Sequence, residues 1–149
     1  MTDTGRVLLT AVALSASAFG VLAWRVSRID PAQPERLVGE LRVAQWAAML
    51  LSATAGIPIG LAVALPSMPG GHLDATLAVG FMLLAGLVLF RDPREGLFLV
   101  SIGFVVHALV DIAHRPGWLS PDLAPRWYIV GCATFNVYLA ALCYLARRR

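Results

Sequence analysis

The sequence predicts an all-α fold, a polytopic membrane bundle of five transmembrane helices in a single domain, from three observations. Of its 149 residues, 58% are hydrophobic and 14% charged, well short of the roughly quarter-charged composition of soluble domains. The apolar residues gather in five runs near the length needed to cross a hydrocarbon core of about 30 Å. The charges fall between or after those runs, as in the short connections of membrane proteins.

The first run, Val7 to Trp24, is just long enough to span. The small residues Ala16-Ser17-Ala18 would suit a signal-peptidase site. Arg6 alone precedes the run while Arg25 and Arg28 follow it, the reverse of a signal peptide's charge order, so it is read as a retained span. Residues 27–40 form a polar connection in which Pro31 and Pro34 interrupt helix. The second run, 41–65, carries Pro58 between Gly56 and Gly60, a kink with a small-x-x-x-small pair suited to close approach of a neighbouring helix. Glu40 and Arg42, at its start, are expected in the headgroup region and not in a site.

A tight turn at 66–71 leads to the third run, 72–90, closed by Arg91-Asp92-Pro93-Arg94. The fourth, 95–114, is apolar as far as His107. A Pro-, Gly- and Trp-containing loop at 116–125 precedes the fifth, 127–146, which ends in three arginines.

Cations near span ends are retained on the cytoplasmic side. Arg25, Arg28, Arg36, Arg42, Arg91, Arg94 and Arg147 to Arg149 share one side, nine against Arg6, Arg115 and Arg126 on the other, which predicts an outer amino terminus and an inner carboxyl terminus. Trp118, Trp127 and Tyr128 then sit at the outer interface, and Trp24, Trp46 and Tyr144 near the inner one. All twelve cations are arginine and are split among short connections and a tail, whereas a nucleic-acid binder gathers them on one solvated face; no nucleic-acid partner is expected.

Cys132 and Cys143 lie eleven residues apart in the fifth run. The helical rise between them is about 16 Å, too far for a disulfide, and both read as small buried hydrophobes.

The chemistry-bearing residues cluster in the outer half of the fourth span. His107, Asp111 and His114, spaced by four and then three, project from one helix face. An ionisable group in a span costs at least about 2.5 to 3.5 kcal/mol on insertion scales, so it turns toward a partner or a wet cavity. The third span starts at the same face with His72 and Asp74, and Asp122 lies in the nearby loop. Imidazoles and carboxylates ligate divalent transition metals, and an i, i+4 pair chelates one ion. His107 and His114 are about 10.5 Å apart in helical rise, so one ion takes either the first two residues or the last two, with ligands from another span. Alternatives are a packing cluster in which Asp111 accepts hydrogen bonds from both histidines, a proton-transfer site, or haem ligation with His72 opposite the fourth span. Asn136, mid-way along the fifth span, reads as an interhelical hydrogen-bonding residue.

The stretch Gly103-Phe104-Val105-Val106-His107-Ala108-Leu109-Val110-Asp111-Ile112-Ala113-His114, a proline-containing loop and then Gly131-Cys132-Ala133-Thr134-Phe135-Asn136 resemble a family of short uncharacterised bacterial integral membrane proteins. Its members carry a G-[WF]-x-x-H-x-x-x-D-x-x-H helix followed by a G-C-A segment and an acid. The resemblance covers roughly the last fifty residues and implies a multi-pass protein of the bacterial cytoplasmic (inner) membrane. It also implies that His107, Asp111 and His114 are the shared polar residues, with Cys132 and position 136 facing them. Arg115 stands where a further histidine is common, and Asn136 replaces the acid.

Two functions follow. The outer cluster is a transition-metal binding or metal-dependent hydrolytic site; alternatively, the chain is a noncatalytic membrane subunit or partner-binding module whose cluster organises helix packing. Its partners are the lipid bilayer and a second membrane protein or another copy of itself.

Overall fold

A computed structural model of the chain describes residues 3–64, 71–114, 118–119 and 124–148. Five helices account for nearly all of them, and no strand occurs among the described residues: α1 (Asp3–Ser27), α2 (Pro34–Ala64), α3 (Gly71–Val88), α4 (Pro93–Ala113) and α5 (Arg126–Arg148). All five are long and apolar enough to cross a membrane. The turn at 66–70 and much of the 116–125 loop, with Asp122, lie outside the described residues, as does Arg115.

Helix α2 begins at Pro34, within the stretch predicted as a connection. A proline fits the first helical position because no intrahelical N–H is needed there, and Glu35 beside it complements the positive helix end. At 1.5 Å per residue its 31 residues extend about 46 Å, so its first turns project beyond a hydrocarbon core of about 30 Å. Asp92 stands at the N-cap position of α4 without a side-chain capping bond, and this helix also opens on a proline, Pro93.

The interior is built from small side chains. Ala44, Ala47, Ala48 and Ala55 of α2 and Ala78 and Ala85 of α3 are buried around Leu51, Leu97, Val100, Phe104 and Leu139. Such residues let helices approach closely enough for dispersion to hold them where no hydrophobic force acts between spans. Large apolar side chains point outward instead, Phe90 being 87% exposed and Val63 76%. This reversal suits a lipid surround.

Helix α4 packs most extensively on α5, and α2 on α3; α1 leans on α5 and less on α2. Phe19, Ala23 and Val26 anchor α1, whose residues 6–14 are all exposed. The Tyr138 hydroxyl donates to the Ala16 carbonyl at 3.2 Å.

The close helix approaches are not where Gly56 and Gly60 predict them. A Cβ on Gly56 would make ordinary contact with Met82, and one on Gly60 would meet nothing. The tight positions are Gly20 against the Tyr138 hydroxyl, Gly39 against Val26, Gly96 against the Val88 carbonyl, and Gly103 between Leu84 and Leu51, where a Cβ would lie 2.8 and 2.9 Å from the two leucines.

Glu40 also departs from its expected headgroup position. It is fully buried: Oε1 accepts from Arg36 Nε at 2.7 Å and Oε2 from Arg94 Nε at 3.1 Å. Arg36 is itself buried and donates further to the carbonyls of Val26 (2.5 Å) and Ala146. Those carbonyls belong to the last turns of α1 and α5, beyond the reach of the regular helical ladder, although the Val26 carbonyl also accepts from the Ile29 N–H at 3.1 Å. One guanidinium therefore ties three helix ends together. Arg42 stays exposed as expected.

Candidate metal centre

The polar stripe of α4 faces the bundle interior. His107, Asp111 and His114 are all buried, although apolar neighbours on the same helix such as Leu109 and Ile112 are exposed. Helix α5 sets a second stripe against it: Tyr128, Cys132 and Asn136, each four residues from the next and so on one face. One ring nitrogen of His107, a carboxylate oxygen of Asp111 and the Cys132 Sγ all lie within 4.8 Å of one another.

Hydrogen bonds hold each of these side chains. Asn136 Nδ2 donates to Asp111 Oδ2 at 3.3 Å and lies 3.4 Å from Cys132 Sγ. His107 stacks on Phe81, ring centroids 4.6 Å apart, and its Nδ1 is 3.4 Å from Thr54 Oγ1. The Thr54 hydroxyl has a single proton, which it gives to the Leu50 and Leu51 carbonyls of its own helix. Its lone pair is then the acceptor for His107 Nδ1–H, which leaves the Nε2 lone pair free to ligate.

His114 takes a different partner. Its Nε2 is 3.1 Å from Asp74 Oδ1, and its Nδ1 is 2.9 Å from the Val110 carbonyl. A carbonyl only accepts, so Nδ1 carries a proton; the contact to Asp74 then needs a second proton, shared between Nε2 and Oδ1. Asp111 thus bonds to neither histidine, contrary to the packing alternative.

His72 does not join them. It lies two residues from Asp74, about 200° around the helix, so burying Asp74 turns His72 outward, and it is exposed.

Among the described residues, two buried side-chain atoms have no hydrogen-bond partner, Asp74 Oδ2 and Asn136 Oδ1. Each such atom costs about 1–3 kcal/mol unless something answers it. Asp74, His107, Asp111 and His114 also line a cavity of about 20 Å³ beneath Pro58 and Phe81, enough for a single water-sized occupant.

The nitrogen, oxygen and sulfur donors suit a borderline ion such as zinc, whereas magnesium and calcium take oxygen alone. A neutral imidazole, a carboxylate and a thiolate would leave a dication with no net charge, which answers the cost of Asp111 in a low-dielectric interior. Thr54 and Tyr128 were not read as site residues from the sequence, and Cys132 entered only through the resemblance, having read on its own as a small buried hydrophobe. The four-residue spacing of Tyr128, Cys132 and Asn136 is the signal that marks the α5 face.

Set against family models, curated proteins and solved structures, the chain matches none.

Proposed function

We propose that this chain is a multi-pass protein of the bacterial cytoplasmic membrane that binds one divalent transition-metal ion, zinc by donor chemistry, on His107, Asp111 and Cys132. The observation that carries the reading is the convergence of those three ligand atoms within 4.8 Å across two helices. Asn136 Oδ1, buried and without a partner, is a candidate for a fourth protein ligand; if water takes that position instead, the arrangement is that of hydrolytic zinc sites. The ion would lower the pKa of such a water, and Asp74 and His114 line the same cavity as His107 and Asp111. The arginine distribution supports an outer amino terminus and an inner carboxyl terminus, with the centre toward the outer face.

The test is elemental analysis of protein purified in mild detergent. One zinc per chain is expected, lost in Asp111→Asn and Cys132→Ser, and cobalt exchange should produce thiolate-to-metal absorption that Cys132→Ser abolishes. Metal-free protein whose melting temperature ignores chelators sinks the reading. A second reading, a noncatalytic subunit or partner-binding module, draws on the Asp74–His114 and Asp111–Asn136 bonds, which let the cluster act as interhelical glue. It predicts a second membrane protein, or further copies of this one, co-purifying with a metal-free chain.

A further inference from the structure

Apart from the metal centre, a groove of about 500 Å³ opens between α1 and α2, walled by Leu14, Ala18, Phe19 and Leu22 on one side and Trp46 and Leu50 on the other. Its volume lies within the range of pockets that enclose small ligands. The walls are almost wholly apolar, and they run lengthwise because both sets of residues recur at helical spacing.

Both walls end on arginine. On α1, Arg25 continues the row of Leu14, Ala18 and Leu22; on α2, Arg42 stands one turn before Trp46 and Leu50. Gly39 of α2 packs on Val26 of α1, and this antiparallel register sets Trp46 level with Phe19 and Arg42 level with Ala23. Arg25 and Arg42 therefore lie about 4.5 and 6 Å beyond Leu22 and Trp46, at the same end of the groove.

The other arginines described at this end of the bundle are engaged. Arg36 and Arg94 hold Glu40, and Arg91 holds Glu95. Arg28, Arg147 and Arg148 lie over aromatic rings. Of the arginines described at this end of the bundle, Arg25 and Arg42 alone have neither a carboxylate nor a ring, and both are exposed.

We infer that the α1–α2 groove is a binding site for an anionic phospholipid, one acyl chain lying along Phe19, Leu22, Trp46 and Leu50 and the phosphate held between Arg25 and Arg42. A zwitterionic lipid could fill the apolar walls equally well, but its own cation would oppose the paired guanidiniums. The charge at the mouth is what selects.

Trp46 supplies the readout. A variant with Trp24→Phe, Trp118→Phe and Trp127→Phe leaves it as the sole tryptophan, to be reconstituted in mixed phosphatidylcholine and phosphatidylglycerol vesicles. Either lipid carries bromine on its acyl chains as a short-range quencher. Each arginine near an anionic surface contributes about fivefold, so phosphatidylglycerol should be favoured at Trp46 by roughly 25-fold over its mole fraction. The double variant Arg25→Gln/Arg42→Gln should bring the preference close to one, and Ala18→Phe, which fills the groove, should reduce quenching by both lipids. Quenching that follows mole fraction whatever the headgroup overturns the inference, as does a preference that survives loss of both arginines. Should the triple tryptophan variant fail to fold, native mass spectrometry of the unmodified chain in detergent with both lipids gives the same answer: retained phosphatidylglycerol, lost in the double arginine variant, supports the site, and equal retention of the two lipids refutes it.

Discussion

Replacing Arg36 by methionine tests the network that joins three helix ends. The guanidinium is 1% exposed and donates to Glu40 Oε1 and to the carbonyls of Val26 and Ala146. Arg36→Met keeps the unbranched stem as far as the Nε position and removes every one of these bonds. Glu40, which is fully buried, would keep only Arg94, whose side chain is 58% exposed and therefore a screened and weak partner. Breaking one side of a buried pair costs about 3–5 kcal/mol, because the remaining charge stays uncompensated. The two carbonyls lose a charged donor but lie at helix ends, where water replaces part of the loss. The expected cost of Arg36→Met is thus about 3–5 kcal/mol, measured as reversible unfolding in mixed dodecylmaltoside and dodecyl sulfate micelles followed by helicity. Arg36→Met/Glu40→Met removes both charges and should recover at least about 2 kcal/mol of that, since apolar replacement of a whole buried pair is often neutral. A single variant costing under about 1 kcal/mol, or a double variant no more stable than the single, would refute the role assigned to Arg36.

Gly103→Ala drives a Cβ to 2.8 Å from Leu84 and should destabilise by about 1–3 kcal/mol in the same unfolding assay. Gly80→Ala, where a Cβ meets nothing, should stay within about 0.5 kcal/mol of the parent. Thr54→Val deprives His107 Nδ1–H of its acceptor; competition with a chromogenic chelator should show zinc affinity down about 10- to 100-fold with helicity unchanged, and unaltered affinity counts against the orienting bond. Maleimide should leave Cys143 unmodified in the folded protein and should label Cys132 only after chelation, so equal labelling with and without chelator argues against thiolate ligation.

The five helices were legible because lipid leaves a chain little choice: every backbone polar group within the core must be satisfied internally, and hydropathy alone then marks the spans. The inward-facing stripe of α4 was equally readable, since four- and three-residue spacing fixes a shared face. Partner choice was not. Helix α3 is apolar nearly all round, so its pattern gives no rotation, and whether His72 or Asp74 meets α4 depends on how α3 packs on α2 and α4. The burial of Arg36 and Glu40 was hidden for a related reason. A charged, proline-containing segment reads as solvated connection, and the guanidinium's interior position depends on partners the segment does not reveal, among them the carbonyl of Ala146, 110 residues away. The glycines misled because small-x-x-x-small spacing states that a face is smooth without saying what lies against it; Gly103 touches two leucines, and Gly60 touches nothing.

Pro58 has a bearing on how the wall beside the cavity holds together. Lacking an amide proton, it withdraws the α-helical donor from the carbonyl of Thr54, the residue whose hydroxyl faces His107. The ladder of α2 therefore misses a rung beside His107, and the six residues after the proline are joined to the remainder by fewer bonds than an uninterrupted helix would supply. Amide exchange in that terminal stretch should outpace the rest of α2, with the change setting in at Pro58, the one α2 residue on the cavity that His107 and Asp111 line.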